Sequence, residues 1–166
     1  MEKAAFAAGC FWGIEMAFQQ LPGVKSTAVG YMGGWTQDPT YEAVCTDQTG
    51  HAEAVLVEFD PNKISYPTLL KVFWKSHNPT TLNRQGPDVG TQYRSAIFCD
   101  SSAQLAAALD SKEALEKSKV YKSPVVTQII DAEEMVFYKA EDYHQNYFQK
   151  QGLKHCKLDN GLEDNE

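Results

Sequence analysis

Residues 3–20 read KAAFAAGCFWGIEMAFQQ, and this stretch decides how the fold begins. The small apolar residues of 3–8 are typical of a strand that is buried on both faces. Gly9 interrupts the run, and the apolar residues of 11–20 then recur with helical spacing. Leu-Pro-Gly at 21–23 ends that pattern, as expected after the last turn of a helix. We therefore predict a strand that turns at a glycine directly into a helix.

Patterns of the same kind predict the rest of the chain. Two polar stretches, 36–50 and 77–92, separate the apolar segments, and long irregular stretches in a compact domain are often functional. Ser101 and Gln104 have the spacing of a capping box at the start of a helix. Further strands are predicted over 24–31, 52–59, 93–99 and 125–130, and further helices after Ser65, from Ser101 to about Lys119, and over 140–151.

The order of these elements predicts a single α/β (α+β) domain, a two-layer sandwich in which helices pack on a mixed central sheet with a ferredoxin-like core. A chain of 166 residues fits one such domain. We expect the domain to span 1–156 and the acidic residues 157–166 to form a disordered tail.

Composition excludes several classes of protein. The chain has 22 acidic against 15 basic side chains and a net charge of −7, which argues against nucleic-acid binding. No apolar run reaches the roughly 20 residues that a membrane helix needs, so we expect no membrane partner. The apolar stretch 4–8 lacks a basic region before it and is too short for a signal peptide, which favours a cytoplasmic protein.

The four cysteines are Cys10, Cys45, Cys99 and Cys156. No two of them form a CxxC pair, so their spacing excludes a zinc ribbon and a thioredoxin motif. No convergent set of metal ligands can be chosen either. We expect neither a metal nor a bound cofactor.

Cys10 is the first candidate for chemistry, because it follows a buried strand and precedes a helix. The unpaired amides and the dipole at a helix start favour thiolate, so we expect a lowered pKa for Cys10. Phe11 and Trp12 could line an apolar pocket beside it. A buried cysteine among core aromatic side chains accounts for the same residues equally well.

Other candidates lie in three separate segments. Glu53 begins an otherwise apolar strand, and if it points inward its pKa is raised and it becomes a proton donor. A solvent-facing glutamate on an edge strand is the alternative. Asp88 and Tyr93 in a Gly/Pro-framed loop could offer hydrogen bonds at a pocket rim, or serve ordinary turn chemistry. Tyr41 adds a hydroxyl from the first long loop, where a tyrosine is usually a surface residue.

The histidines are His51, His77, His144 and His155. A Cys–His pair would indicate acyl transfer, but the sequence offers no residue that would orient the histidine, and papain-like local signatures are absent. We expect His144 to orient the fold through a hydrogen bond.

Taken together, the segments resemble a peptide methionine sulfoxide reductase of the A type. They occur in the family's order and cover nearly the whole chain. One departure is Asp47, where the family usually has glycine. The matching stretches are GCFWG (9–13), GYMGG (30–34), YEAVC (41–45), TGHAEAV (49–55), DVGTQYRS (88–95) and AEDYHQ (140–145).

The resemblance implies a role for each matching residue. Cys10 corresponds to the nucleophile that attacks the sulfoxide sulfur, and Glu53 to the acid that protonates the sulfoxide oxygen. Tyr41 and Tyr93 correspond to the hydroxyls that hold this oxygen, and Asp88 to a carboxylate that orders the pocket.

The resemblance also implies the substrate and the recycling of the enzyme. Phe11 and Trp12 correspond to the wall that takes the methyl group of the S epimer of methionine sulfoxide, free or in proteins. Cys156 corresponds to the resolving cysteine, which would form a Cys10–Cys156 disulfide that thioredoxin reduces.

Three alternatives stay open at this level. A thiol peroxidase would explain Cys10 and Cys156 but not Glu53 or the tyrosines. A non-catalytic methionine-binding module would use Phe11 and Trp12 and leave the position of Cys10 without a purpose. A cysteine hydrolase would need a histidine within reach of Cys10.

Overall fold

The structure is a computed structural model that describes residues 1–150. The strands are β1 (Glu2–Ala8), β2 (Val24–Met32), β3 (Ala52–Phe59), β4 (Arg84–Gln85), β5 (Asp88–Val89), β6 (Ser95–Cys99), β7 (Gln128–Asp131) and β8 (Tyr138–Lys139). The α-helices are α1 (Phe11–Gln19), α2 (Tyr41–Cys45), α3 (Tyr66–Lys75), α4 (Ser102–Ser118) and α5 (Tyr147–Lys150). Two short 3₁₀ turns cover Thr91–Tyr93 and Asp142–His144.

The main sheet has six strands in the order β7-β6-β1-β3-β2-β8, and β4 and β5 form a separate hairpin. Its neighbouring strands are antiparallel except for the parallel pair β6–β7. The units β1-α1-β2 and β3-α3-β6 interleave so that β6, β1, β3 and β2 lie side by side, which is the ferredoxin-like arrangement. The predicted fold class, a mixed sheet with helices packed on it, is confirmed.

The two faces of the sheet are filled differently. Phe6 and Val55 point to the helix side, where the Phe6 ring lies 4.9 Å from Phe18 of α1 and 5.4 Å from Phe73 of α3. The opposite face is built largely from alanines with Met32 and Phe98. Because side chains alternate along a strand, Glu53, two residues before Val55, belongs to the helix side.

The long polar stretches contain short elements that the sequence pattern did not predict. The first holds α2, whose start is capped by the Thr40 hydroxyl accepting from the amide of Ala43. The second holds the β4–β5 hairpin and the turn Thr91–Tyr93, so β6 begins at Ser95 rather than at 93. The predicted caps at Ser65 and Ser101 are present, each accepting from the amide three residues later.

The predicted helix over 140–151 is wrong within the described residues. Instead, the chain passes from β8 through the turn Asp142–His144 to the single-turn helix α5. The reason is a set of bonds to Val29 of β2. Its carbonyl accepts from the Ala140 amide at 2.9 Å and from the Gln145 side chain at 2.8 Å, and its amide donates to the same side chain at 2.9 Å. Pairing with the sheet edge therefore outweighs local helix propensity.

Within residues 1–150, no helix is long and apolar enough to cross a membrane.

Candidate active site

Cys10 lies where β1 ends and α1 begins, at the N-cap position of the helix. The turn before it depends on Gly9, which has a φ of +95°. A Cβ atom at this position would lie 2.8 Å from the side chain of Gln85, so the hairpin closes on the β1–α1 junction only because a glycine is there. The Cys10 side chain is half-buried.

Glu53 lies directly below this turn and is 1% exposed. Its Oε1 atom accepts from the backbone amide of Phe11 at 3.2 Å, and its Oε2 atom accepts from the Gln92 side-chain amide at 3.2 Å. Phe11 is the first residue of α1, so its amide has no partner within the helix. The Glu53 carboxyl therefore accepts a hydrogen bond from an otherwise unpaired amide at the start of α1, next to Cys10.

The surroundings of Glu53 raise its pKa to about 7. Burial is the largest cause, and the Asp88 carboxylate adds to it. The hydrogen bonds from Gln92 and Phe11 act in the opposite direction because they favour the ionised form. A carboxyl with this pKa is protonated in a large fraction of molecules at neutral pH, which suits a general acid.

The expectation of a lowered pKa for Cys10 is wrong. Its pKa is raised to about 12, chiefly by burial, then by the Glu53 and Asp88 carboxylates. The amides of Trp12 and Gly13 lower it, as a helix start should, but they do not compensate. In the ligand-free protein Cys10 is therefore a thiol.

Two tyrosine hydroxyls approach Glu53 from different elements. Tyr93 follows the hairpin, and burial together with the Glu53 and Asp88 carboxylates raises its pKa to about 12. Tyr41 is the first residue of α2. Burial, and then the Glu53 carboxylate, raise the pKa of Tyr41 above that of Tyr93. The Tyr41 hydroxyl also hydrogen-bonds the Cys45 thiol. Both side chains therefore carry a proton at neutral pH and can donate it to an oxygen.

The aromatic pair after Cys10 divides between core and rim. Phe11 is fully buried, and its ring lies 5.8 Å from Tyr31 and 5.2 Å from His144. Trp12 is half-buried, and one face of its indole stacks on Tyr147 at 3.9 Å. Phe11 can therefore support a pocket only from within, whereas Trp12 can line it directly.

His144 fixes the indole of Trp12. The Trp12 Nε1 atom donates to the His144 Nδ1 atom at 3.0 Å, so the neutral histidine carries its proton on Nε2. Burial lowers the pKa of His144, which favours this neutral form. The expected orienting hydrogen bond is present, with Trp12 as its partner.

Asp47, the departure from the family pattern, occupies a left-handed conformation with a φ of +67°. Glycine adopts this conformation without strain, and aspartate is among the few other residues that tolerate it. The Asp47 carboxylate also accepts from the amide of Thr91 at 2.9 Å, as well as from its hydroxyl. It thereby ties the loop after α2 to the turn that carries Gln92 and Tyr93.

The structure brings seven sequence-predicted residues to one place and leaves one untested. Cys156 lies outside the described residues, as does segment 157–166. Sequence analysis missed Gln92, and also Glu141, which accepts from the Tyr31 hydroxyl at 2.9 Å and the Tyr41 amide at 3.0 Å. Neither has a local signal, because a polar residue in a polar segment gives no sign of the distant groups that it bonds. The residues brought together are Cys10, Phe11, Trp12, Tyr41, Glu53, Asp88 and Tyr93.

The three histidines among residues 1–150 are engaged elsewhere. His51 pairs with the Gly34 amide and the Thr36 carbonyl, His77 with the Ser95 hydroxyl, and His144 with Trp12. None of these bonds goes to Cys10, so the described part of the chain offers no Cys–His pair for a hydrolase. Within the same residues, no group of three or more His, Cys, Asp or Glu side chains could hold a metal ion.

Comparisons with known proteins identify the family and the fold. A relative from Methanosarcina mazei, named peptide methionine sulfoxide reductase MsrA, is 66% identical over 153 residues, which cover 92% of this chain and 72% of the relative. Methionine sulfoxide reductase A of Corynebacterium diphtheriae superposes with a TM-score of 0.80 at 35% identity, covering 93% of this chain and 77% of that one.

Yeast structures give the same result. Reduced Mxr1 from Saccharomyces cerevisiae superposes with a TM-score of 0.82 at 33% identity, covering 93% of this chain and 88% of that one. Mxr1 in complex with Trx2 shares the fold at 24% identity and a TM-score of 0.61, covering 95% of this chain and 86% of that one. Nothing found in these comparisons supports a thiol peroxidase or a methionine-binding module. The family model for peptide methionine sulfoxide reductase matches residues 2–166, and the chain belongs to this family.

Proposed function

We propose that the protein reduces the S epimer of methionine sulfoxide, free or in proteins, with Cys10 as nucleophile and Glu53 as proton donor. The observation that carries this assignment is the buried Glu53 carboxyl, which has a pKa of about 7 and bonds the first amide of the helix that Cys10 caps. A sulfoxide oxygen is a poor leaving group until it is protonated. A neutral acid beside a cysteine sulfur supplies both requirements of the reaction.

The first step balances without an outside reductant. A bond forms between the Cys10 sulfur and the sulfoxide sulfur while Glu53 transfers its proton to the sulfoxide oxygen. Because Cys10 starts as a thiol, its proton must leave as the bond forms, and Glu53, now a carboxylate, is the base that can accept it. The hydroxyl then moves to the Cys10 sulfur: a new S–O bond forms there, while the S–O bond of the substrate and the S–S bond break, leaving a sulfenic acid and methionine. Two electrons pass from the Cys10 sulfur to the sulfoxide sulfur.

The remaining side chains hold the substrate in this proposal. Tyr41 and Tyr93 donate hydroxyl hydrogen bonds to the oxygen as negative charge develops on it. Trp12, fixed by His144, packs against the substrate's methyl group, with Phe11 behind it. Burial, with a further contribution from Asp88, keeps the pKa of Glu53 high and so keeps its proton in place at neutral pH.

Recycling requires a second thiol. We propose that Cys156 attacks the Cys10 sulfenic acid to form a Cys10–Cys156 disulfide and water, and that the dithiol of thioredoxin then reduces this disulfide. The Cys156 assignment rests on the family resemblance alone. Thioredoxin as the reductant is supported by the complex of yeast Mxr1 with Trx2. The catalytic unit would then span 1–156, with 157–166 as a tail, and the cytoplasmic location stays a prediction.

The function is tested in one experiment without reductant. The protein is mixed with excess S or R epimer of a methionine sulfoxide peptide, and methionine formation and cysteine linkage are measured by peptide mapping. We expect one equivalent of methionine from the S epimer only and a Cys10–Cys156 linkage. Equal reduction of both epimers, or faster consumption of a hydroperoxide than of the sulfoxide, would contradict the assignment.

The resolving role is tested with Cys156→Ser. This variant should still reduce one equivalent of sulfoxide at near-normal speed, because the first step does not involve Cys156. Turnover with thioredoxin should collapse. A small dithiol should restore turnover, because it can react with the sulfenic acid directly. Cys45→Ser is the matched variant, since Cys45 is exposed and lies near the site. If Cys45→Ser loses thioredoxin turnover and Cys156→Ser keeps it, the resolving cysteine is Cys45.

A further inference from the structure

Gln92 is a buried polar residue that the mechanism above does not use. It lies in the turn Thr91–Tyr93 and is 4% exposed. Its Nε2 atom lies 3.2 Å from the Glu53 Oε2 atom and 3.4 Å from the Cys45 sulfur. The two hydrogens of this amide therefore have one acceptor each, and one of these acceptors is the proposed acid.

The turn that carries Gln92 is anchored on both sides. Asp47 accepts from the Thr91 amide at 2.9 Å, and Arg94 donates to the Thr91 carbonyl and to the Gly50 carbonyl, each at 2.9 Å. These bonds connect the turn to the loop after α2 and to the approach to β3. The position of the Gln92 amide relative to Glu53 is therefore set by neighbouring elements.

We propose that Gln92 is a positioning residue whose amide holds the Glu53 carboxyl in place in both of its protonation states. This rests on the proposed role of Glu53 as the acid. A side-chain amide has a donor end and an acceptor end of nearly the same shape. With the NH₂ group toward Glu53, Gln92 donates to the carboxylate. With the amide rotated by half a turn, its oxygen accepts the O–H of the protonated acid, and the Cys45 thiol can donate to the same oxygen.

The second partner of Glu53 cannot adapt in this way. The Phe11 amide is a donor in either state, so it bonds an oxygen that keeps a lone pair free. Gln92 is therefore the partner that can respond when the proton arrives or leaves, because either end of its amide can pair with the Glu53 carboxyl. The titratable groups that face Glu53 come from the other elements around it and are Cys10, Tyr31, Tyr41, Asp88 and Tyr93.

The test replaces Gln92 with methionine, which has similar length and neither donor nor acceptor. We expect two changes. The pKa of Glu53 rises by about one unit, because the carboxylate loses a hydrogen bond in a buried site. The single-turnover rate on the low-pH plateau, where Glu53 is protonated, falls by roughly tenfold, because the acid loses the side chain that fixes its position.

The pKa is read in the ligand-free protein from the ¹³C resonance of labelled glutamate carboxyls, assigned with Glu53→Gln. This measurement does not depend on activity, so a wild-type protein without sulfoxide reduction would overturn the proposed function and still test Gln92. Gln104→Met is the matched control, because Gln104 is 7% exposed and bonds the Lys3 carbonyl and the Asp100 amide at the far end of β1. It should lower stability without moving the Glu53 resonance or the rate.

Each outcome decides the proposal. A raised pKa with a reduced plateau rate supports it. A raised pKa with an unchanged plateau means that Gln92 acts on the carboxylate alone, which overturns the two-state role. An unchanged pKa overturns the contact altogether. If Gln92→Met does not fold, Gln92→Asn keeps the polarity but is one carbon too short to reach Glu53, and the same outcomes apply to it.

Discussion

Glu15 on α1 and Glu53 on β3 are two glutamates with the same solvent exposure, 1% each. Each accepts from one backbone amide and one side chain. Glu15 bonds the Asn146 amide at 2.7 Å and the Thr27 hydroxyl at 3.0 Å, whereas both bonds of Glu53 are 3.2 Å. Burial is the largest cause of a raised pKa in both. Solvent exposure alone therefore does not distinguish the acid at the site from a glutamate that joins distant segments.

The charges around the two carboxyls differ as well. Lys150 favours the ionised form of Glu15, whereas Asp88 disfavours the ionised form of Glu53. Glu15 also has the shorter amide bond, which joins α1 to the C-terminal segment. Glu53 has longer bonds, an anion nearby and the Cys10 thiol above it. A buried carboxyl can act as an acid at neutral pH where its surroundings raise its pKa far enough to keep it protonated.

The largest effect is expected from replacing Cys10, the nucleophile that Glu53 assists in the proposed reaction. Cys10→Ser should abolish sulfoxide reduction, because a serine alkoxide is not available at neutral pH and serine cannot be oxidised to a sulfenic acid. The measurement is methionine formed per protein in a single turnover. Appreciable product from this variant would show that another group attacks the sulfoxide.

The next effect separates the two glutamates by rate. Glu53→Gln keeps shape and hydrogen bonding but cannot donate the proton, so sulfenic acid formation should slow by roughly 10²–10⁴-fold at neutral pH. The matched variant Glu15→Gln should leave this rate within the same order of magnitude. Rapid-quench single-turnover kinetics measures both. Equal losses in the two variants would mean that Glu53 acts only through the structure.

Burial raises the pKa of both glutamates, so the stability that each proton provides is lost in the same direction, as pH rises. The folded-state pKa of Glu53 is about 7 against 4.5 for the free group, so the native state holds a proton that the unfolded chain releases. The stability that this proton provides is present below pH 4.5 and is lost as pH rises through about 7, with a loss of up to about 3 kcal/mol. Glu53→Gln should remove this loss and raise the Tm above pH 7.

Glu15→Gln should change the pH dependence of the Tm in the same direction but by less, because burial raises the pKa of Glu15 too, while Asn146, Thr27 and Lys150 oppose that rise. Thermal unfolding of both variants from pH 5 to 9 tests the contrast. A lower Tm for Glu53→Gln above pH 7 would show that its carboxylate stabilises the fold.

The smallest effect concerns Trp12, which lies three residues before Glu15 on α1. Trp12→Phe keeps an aromatic ring but loses the bond to His144, so we expect KM to rise about fivefold with little change in the single-turnover rate at saturation. Trp74→Phe is the control, since its indole bonds Ser111 at 2.6 Å on the helix side of the sheet. A similar rise in KM for both would mean that loss of an indole hydrogen bond acts through general stability.

Much of the fold could be predicted because its signals are local. The strand–glycine–helix run up to α1, the caps at Ser65 and Ser101, and the alternation along β3 each depend on residues a few positions apart. That alternation also limits Glu53 to one of two faces. The stretches that match the family name the candidate residues, and the structure brings all of them except Cys156 together in one site.

What the sequence by itself determined is the set of elements, their order and the residue types available for the chemistry. Tertiary structure decided the protonation state of Cys10, the hydrogen bond from the Gln92 amide to Glu53, and the bond of Glu15 to a residue 131 positions away. It also decided that the region after β8 forms a short turn and a single-turn helix instead of one long helix. The physical reason is that helix and strand patterns repeat over a few residues, whereas burial and charge depend on everything within several ångströms. Here those neighbours come from α1, β3, the hairpin and the C-terminal segment, which only the folded chain brings together.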